Sequence, residues 1–523
     1  MTLTPVDWII VAAYLTICVG AGIRMRRYVR DVEDFALAGR EMDVHLGVAS
    51  LAATEIGIVT VMYTGEMGFR NGLAGAAPGV LMCLAMLLVG MTGFVIEPLR
   101  NAGVVTIPEL FEKRFGKKVR WLAGLVVVMG GVLNMGIFLR LGGEFLMYVT
   151  GLNPKTQITL STFGREWHPG LLEVTMTSLL MLILIYTVLG GMVSVLVTDY
   201  LQFLVKGLGI VLISVIVLWS TNPGDLIAGL HSVQSEVPTA GAMTMSDPFN
   251  PLRSLGWGWL IWQAMLSVAV MTTWQTIVSR ALAARDSRTA KRIYRGTAFY
   301  FVGRFALPGL WGAAAFLYFA SPGAGGLPDG VGALTAMPVY LGRILPAGAL
   351  GIVVAAMLAA EMSTDSGYLL TWATVIYNDL VNPCFRRPMG PRARLRTVRF
   401  LVLAIGVFLV FYGLWYQIPG RAWDYLSVTG NIYLASLFTL LVGALYWKQA
   451  NSWGALAAIV LGAVGPIAFL VINAAVKDPG RQIPAEIAGL SAFGMSFAGM
   501  IVGTLAKRFA KSGGADRSSE GAR

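Results

Sequence analysis

The chain has 523 residues, 56% of them hydrophobic and 13% charged, with a formal net charge of +12. A soluble protein of this composition would have little polar surface left for water, and long apolar runs between short polar joints point to lipid as the solvent. Three cysteines and three histidines are scattered without metal-ligand or disulfide spacing, and no cluster has a catalytic layout, so zinc, redox and enzyme readings find no support.

Runs of roughly 20 apolar residues predict about 13 spans. In chain order they cover 7–25, 45–69, 74–97, 119–148, 169–190, 192–220, 255–280, 295–320, 347–380, 397–416, 425–447, 454–476 and 486–506. The first begins at Asp7 with no basic region before it and no small-residue cleavage site, so it reads as a retained anchor. Residues 1–30 are expected to form an extra helix ahead of a core at 31–450. Two further spans fill 451–506, and 507–523, small and polar from Ser512 onward, is expected to be a disordered cytoplasmic tail.

The basic residues set the orientation. With the amino terminus outside, the inward joints hold roughly 29 Lys and Arg and the outward joints about 8, while Arg140, Lys206 and Arg304 fall within spans. The expected protein therefore crosses a cell membrane with its carboxyl terminus in the cytoplasm, and its basic balance needs no nucleic-acid partner. With the first span set aside, the next ten form two sets of five, 45–220 and 255–447. Five is odd, so the sets run in opposite senses, as an inverted-repeat carrier requires.

Polar residues at membrane depth mark candidate sites. Span 45–69 contains Ala53-Thr54-Glu55-Ile56-Gly57, in which a glycine weakens the helix beside a hydroxyl and a carboxylate. A helix broken there would free carbonyls for a cation and line a solute cavity; an unbroken helix with a paired Glu55 is the alternative. Span 347–380 carries Ser363 and Thr364, neutral oxygens suited to a hard monovalent cation, or simply to interhelical bonding. Glu361 and Asp365, four apart on one face, would line a water path or pair with Arg140 or Arg304. Asp199 and Lys206 share a helix face at a spacing of seven, so Asp199 reads as a lysine-paired acid or as a cation relay. Arg140 suits a substrate carboxylate, or a bridge to Glu144 one turn on.

Several separated motifs then occur in order. Asp34-Phe35-Ala36-Leu37-Ala38-Gly39-Arg40, Tyr186 to Gly191, Thr198-Asp199-Tyr200-Leu201-Gln202, Gln275 to Arg292, Met362 to Ser366 and Gly443 to Trp447 together resemble the sodium:solute symporter family, nearer its proline and pantothenate branch than its sugar carriers. The resemblance implies an all-α polytopic membrane protein with a LeuT-type 5+5 inverted repeat, importing a small solute with sodium. It implies that sodium is held by carbonyls at Ala53, Ile56 and Ala360 and by the hydroxyls of Ser363 and Thr364. A second sodium would fall at Asp199, Ser363 and Ser366, although the last serine of that pattern is Gly367 here.

Glu55 stands where the proline branch has an aspartate, and Val270 where sugar carriers stack an aromatic ring on hexose. Both departures favour an amino acid or organic acid, with Glu55, Thr54, Gly57 and Arg140 as the expected solute residues. The oligomeric state is unreadable from the sequence. A proton-coupled carrier using Glu55, Glu361 or Asp199, and a solute sensor without net transport, are the alternatives.

Overall fold

Apolar stretches in hydrocarbon must satisfy their backbone internally, and the chain does so with helices. The computed structural model describes residues 3–520 apart from 26–40, 155, 163–164, 236–242, 322, 324–325, 386–388, 416–419 and 477. The motif at Asp34–Arg40 lies outside the described residues.

The helices used below are α1 (Pro5–Met25), α2 (Val44–Glu55), α3 (Ile58–Asn71), α4 (Ala77–Thr92), α5 (Lys117–Gly136), α6 (Phe138–Thr150) and α7 (Leu171–Thr221). After them come α8 (Trp257–Thr273), α9 (Gln275–Ala283), α10 (Ser287–Ala320), α11 (Ala349–Val375), α12 (Pro391–Trp415), α13 (Ala422–Tyr446), α14 (Ser452–Ala475) and α15 (Ala485–Glu520). A short antiparallel hairpin, Leu160–Thr162 against Arg165–Trp167, precedes α7.

Among the described residues, 11 stretches are long and apolar enough to cross a membrane. Two features reconcile this number with 13 spans. The stretch Ile58–Thr92 is interrupted by a 3-10 turn at Gly72–Ala76 and contains parts of two spans, while α8, at 17 residues, is a little short. The joint expected at 191 falls inside α7, a helix of 51 residues. At about 1.5 Å per residue it would be far longer than the ~30 Å hydrocarbon layer. Its apolar stretches Leu171–Leu189 and Ser194–Thr221 therefore each need a passage of their own. The tail expected to be disordered from Ser512 instead continues α15 to Glu520.

The first helix of each five-span set is broken near its middle. Between α2 and α3, Ile56 (φ −113°, ψ 97°) and Gly57 (φ −96°, ψ 175°) are extended. Between α8 and α9, Trp274 is extended (φ −65°, ψ 109°). The first break follows the glycine that the sequence flagged. The second has neither glycine nor proline, and the sequence reading gave no sign of it.

Burial separates the centre from the lipid face. The most apolar window of Ala349–Cys384 is 89% buried, against 28% for Pro5–Arg24 and for Arg392–Gly413. Thus α11 is the axis, and α1 and α12 face outward. Helix α10 starts on a proper cap: Asp286 accepts from Thr289 N at 2.6 Å, and that backbone bond holds its carboxyl below the usual carboxylate range. It then passes α3 at backbone contact. A Cβ on Gly68 would lie 1.9 Å from Gly309 O, and one on Gly312 would lie 2.0 Å from Gly65 O. Small residues permit this approach, as at many membrane helix interfaces.

Candidate functional site

A broken helix leaves its last carbonyls without intrahelical donors, and at membrane depth each needs a partner. At the end of α2 every one is accounted for. Ala52 O accepts from Tyr300 Oη and, at 3.3 Å, from Lys206 Nζ. Ala53 O accepts from Lys206 Nζ at 2.6 Å and from Ser363 Oγ at 2.9 Å. Thr54 O accepts from Thr364 Oγ1 at 3.0 Å, Glu55 O from Thr60 Oγ1 at 3.3 Å, and Ile56 O from Lys206 Nζ at 3.1 Å.

The break and the hydroxyl pair of α11 are therefore in direct contact. Ser363 Oγ also reaches Ala360 O at 3.1 Å, so the oxygens of Ala53, Ala360 and Ser363 lie together in a small cradle, with Ile56 O joined to Ala53 O through Lys206 Nζ and Thr364 alongside on Thr54 O. Gly57 makes the approach possible for steric reasons, since a Cβ there would sit 2.8 Å from Thr364 Oγ1.

Asp199 lies just behind the break, fully buried. Its Oδ2 accepts from Ser50 Oγ at 2.9 Å and Thr54 Oγ1 at 3.5 Å, and Arg280 Nη2 stands 3.8 Å away. The same guanidinium nitrogen donates to Thr54 Oγ1 at 2.7 Å. Asp199 makes no hydrogen bond to Ser363 or Ser366; Ser366 Oγ turns back to Ser363 O at 3.3 Å. Of the two readings of Asp199, a lysine-paired acid or a cation relay, the first finds no contact here: Lys206 turns to the carbonyls, and Arg280 is the cation beside the acid. Gly367 leaves room for this arginine, because a Cβ there would lie 3.0 Å from Arg280 Nη2.

On the other side of the break opens a cavity of about 80 Å³. Glu55 and Arg304 form its charged wall, with Glu55 Oε2 3.0 Å from Arg304 Nη1 and Glu55 Oε1 accepting from Thr276 Oγ1 at 3.3 Å. Thr276 belongs to α9, so Glu55 ties together the breaks of both helix sets. Arg304 also donates to Tyr63 Oη at 2.8 Å. Tyr63, Trp274, Tyr368 and Trp423 supply aromatic walls. Val270 lines the cavity as an aliphatic residue, and Trp274, one turn further on, presents the ring that Val270 lacks. Arg304 Nε, Trp423 Nε1 and Ser427 Oγ, all on lining residues, have no hydrogen-bond partner among the described residues.

Three expected solute residues lie elsewhere. Arg140 faces a different cavity, bonded to Glu144 at 3.0 Å, which is the local i,i+4 alternative. Thr54 points at Asp199 and Arg280, and Gly57 packs on Thr364. Glu361 and Asp365 are buried on α11 and pair with neither Arg140 nor Arg304, which are taken by Glu144 and Glu55. The sequence offered one sign of Arg304, a charge within an apolar span, but not which acid it would meet.

A sequence profile described as the sodium:solute symporter family matches residues 35–462. The chain is 27% identical to a sodium/glucose cotransporter of Vibrio parahaemolyticus, over 89% of this chain and 84% of the relative. It is 26% identical to the high-affinity proline transporter PutP of Bacillus subtilis, over 86% and 88%. The sodium/sialic acid symporter SiaT of Proteus mirabilis is 21% identical over 88% and 89%. Among solved structures, a Na+-coupled sialic acid symporter in a substrate-bound outward-open state superposes with a TM-score of 0.77 at 18% identity, covering 96% of this chain and 98% of that one. The likeness extends over nearly the whole helical fold.

Proposed function

The chain belongs to the sodium:solute symporter family, which makes it a multi-pass membrane carrier coupled to sodium and not an enzyme; from that premise we propose that it imports a small zwitterionic or acidic solute, an amino acid or organic acid, bound between Glu55 and Arg304. The observation that carries the reading is the composition of the cavity wall. A carboxylate and a guanidinium stand side by side, next to three polar groups with no hydrogen-bond partner among the described residues, Arg304 Nε, Trp423 Nε1 and Ser427 Oγ. Arg304 would take the solute carboxylate, Glu55 its ammonium, and the aromatic walls its apolar part. Relatives that carry glucose and proline are almost equally similar, at 27% and 26% identity, so the choice of solute rests on this wall.

Sodium is assigned to the cradle of Ala53, Ile56, Ala360, Ser363 and Thr364. Bridging α2 to α11 there orders the break that carries Glu55, and thus raises solute affinity. By linkage the solute raises sodium affinity equally, and rocking of the paired helices then opens both sites to the cytoplasm. The excess of basic residues in alternate joints supports an external amino terminus and a cytoplasmic carboxyl terminus. A second sodium at Asp199, Ser363 and Ser366 gains no support, since Arg280 lies beside Asp199.

A thermal-stability screen of the purified protein against amino acids, carboxylates and sugars, each in sodium and in potassium, tests the solute class. The reading expects a zwitterion or acid to raise the midpoint by mass action, with a larger rise in sodium. A neutral sugar as the sole stabilising solute would overturn it.

A further inference from the structure

Lys206 occupies a position for which its own helix gives no reason. It lies on α7, is 1% exposed, and all three of its N–H donors are spent on Ala52 O, Ala53 O and Ile56 O at 3.3, 2.6 and 3.1 Å. Two of these carbonyls are the ones assigned to sodium. An ammonium and a sodium ion make the same demand on a carbonyl, a compact positive charge at short range. Ala53 O and Ile56 O cannot meet it for both at once.

We propose that Lys206 is a tethered competitor for the sodium position, so that its ammonium and a sodium ion are alternative occupants of the cradle. This rests on the assignment of sodium to the cradle made above. With the ammonium in place the freed carbonyls of α2 are satisfied, and the broken helix is stable without an ion from outside. Sodium then binds only as the ammonium withdraws along its flexible four-carbon stem. An acceptor stands on the same helix face: Asp199, seven residues earlier, is fully buried, and its Oδ1 has no hydrogen-bond partner among the described residues. The fold thus sets a threshold for sodium, because each ion must displace a charge fixed to the protein at effectively constant local concentration.

The test compares wild type with Lys206→Ala and Lys206→Met, the second keeping most of the stem volume, in purified protein at one fixed pH. Radioactive sodium binding gives the half-saturating concentration, and melting midpoints are taken in sodium and in potassium. Both variants are expected to bind sodium at a concentration at least tenfold lower than wild type. In potassium both should melt below wild type, and sodium should restore them while shifting wild type little. Folded variants with unchanged half-saturation would overturn the proposal, as would an instability that sodium does not relieve in either variant. Thr364→Ala separates this from the underlying assignment. If Thr364→Ala weakens sodium binding but the Lys206 variants do not strengthen it, the competitor alone fails. If neither substitution moves sodium binding, the cradle assignment fails with it.

Discussion

Glu55→Gln and Arg304→Gln are each expected to weaken solute binding by a hundredfold or more, and the double variant to recover stability without recovering binding. The two side chains face each other at 3.0 Å inside the bundle. Removing one partner leaves the other as a buried, uncompensated charge, at a cost of about 3–5 kcal/mol. At about 1.4 kcal/mol per factor of ten, a loss of that size in solute contact exceeds a hundredfold. Removing both partners leaves no stranded charge, so most of the lost melting temperature should return. A purely structural pair would regain solute binding along with stability, whereas a pair that holds the solute would not. Melting midpoints and equilibrium solute binding on the four proteins distinguish these cases.

The second large effect is expected from Gly312→Ala, which should destabilise the fold by about 3 kcal/mol or more and displace Arg304 from Glu55. The added methyl would lie 2.0 Å from Gly65 O, a backbone atom with no rotamer to adopt, so the helices themselves must part. Arg304 rides on α10 and Glu55 ends the segment before α3, so a shift between α10 and α3 reaches the solute site. Gly303 on the same helix has nothing within 4 Å of an added Cβ, and Gly303→Ala should leave the melting midpoint unchanged or slightly higher. Equal effects of the two substitutions would show that helix propensity, and not close packing, governs this interface.

Much of this protein is written locally. Apolar runs mark the spans because hydrocarbon demands them, and alternating basic joints mark their expected direction. Glycine and a hydroxyl beside Glu55 flag the break, because a helix weakened at that depth must find other partners for its carbonyls. The grouping of Ser363 and Thr364 with the carbonyls at Ala53, Ile56 and Ala360 came from a family resemblance; Ser363 bonds Ala53 O at 2.9 Å, whereas Thr364 bonds Thr54 O at 3.0 Å. Other features depend on distances that a sequence does not encode. Trp274 ends α8 with no breaker residue; its backbone is extended and its ring packs among Tyr368, Trp372 and Tyr433, all distant in the chain. The face shared by Asp199 and Lys206 was visible, yet the acid's cation is Arg280, 81 positions away in the chain, and the lysine's acceptors lie on α2 and at the break. Arg140 shows the reverse: a local partner, Glu144, prevailed over a distant role. Short-range pairs are legible, and the pairing of charges across helices is decided by the fold.

The claim on which the rest depends is that sodium and solute meet at one helix break. Titrating solute affinity against sodium concentration, in wild type and in Thr364→Ala, addresses it most directly. Affinity is expected to rise with sodium in wild type, and the variant to need at least about tenfold more sodium for the same rise, one lost ligand being worth about 1.4 kcal/mol or more. Superimposable curves for the two proteins would contradict it.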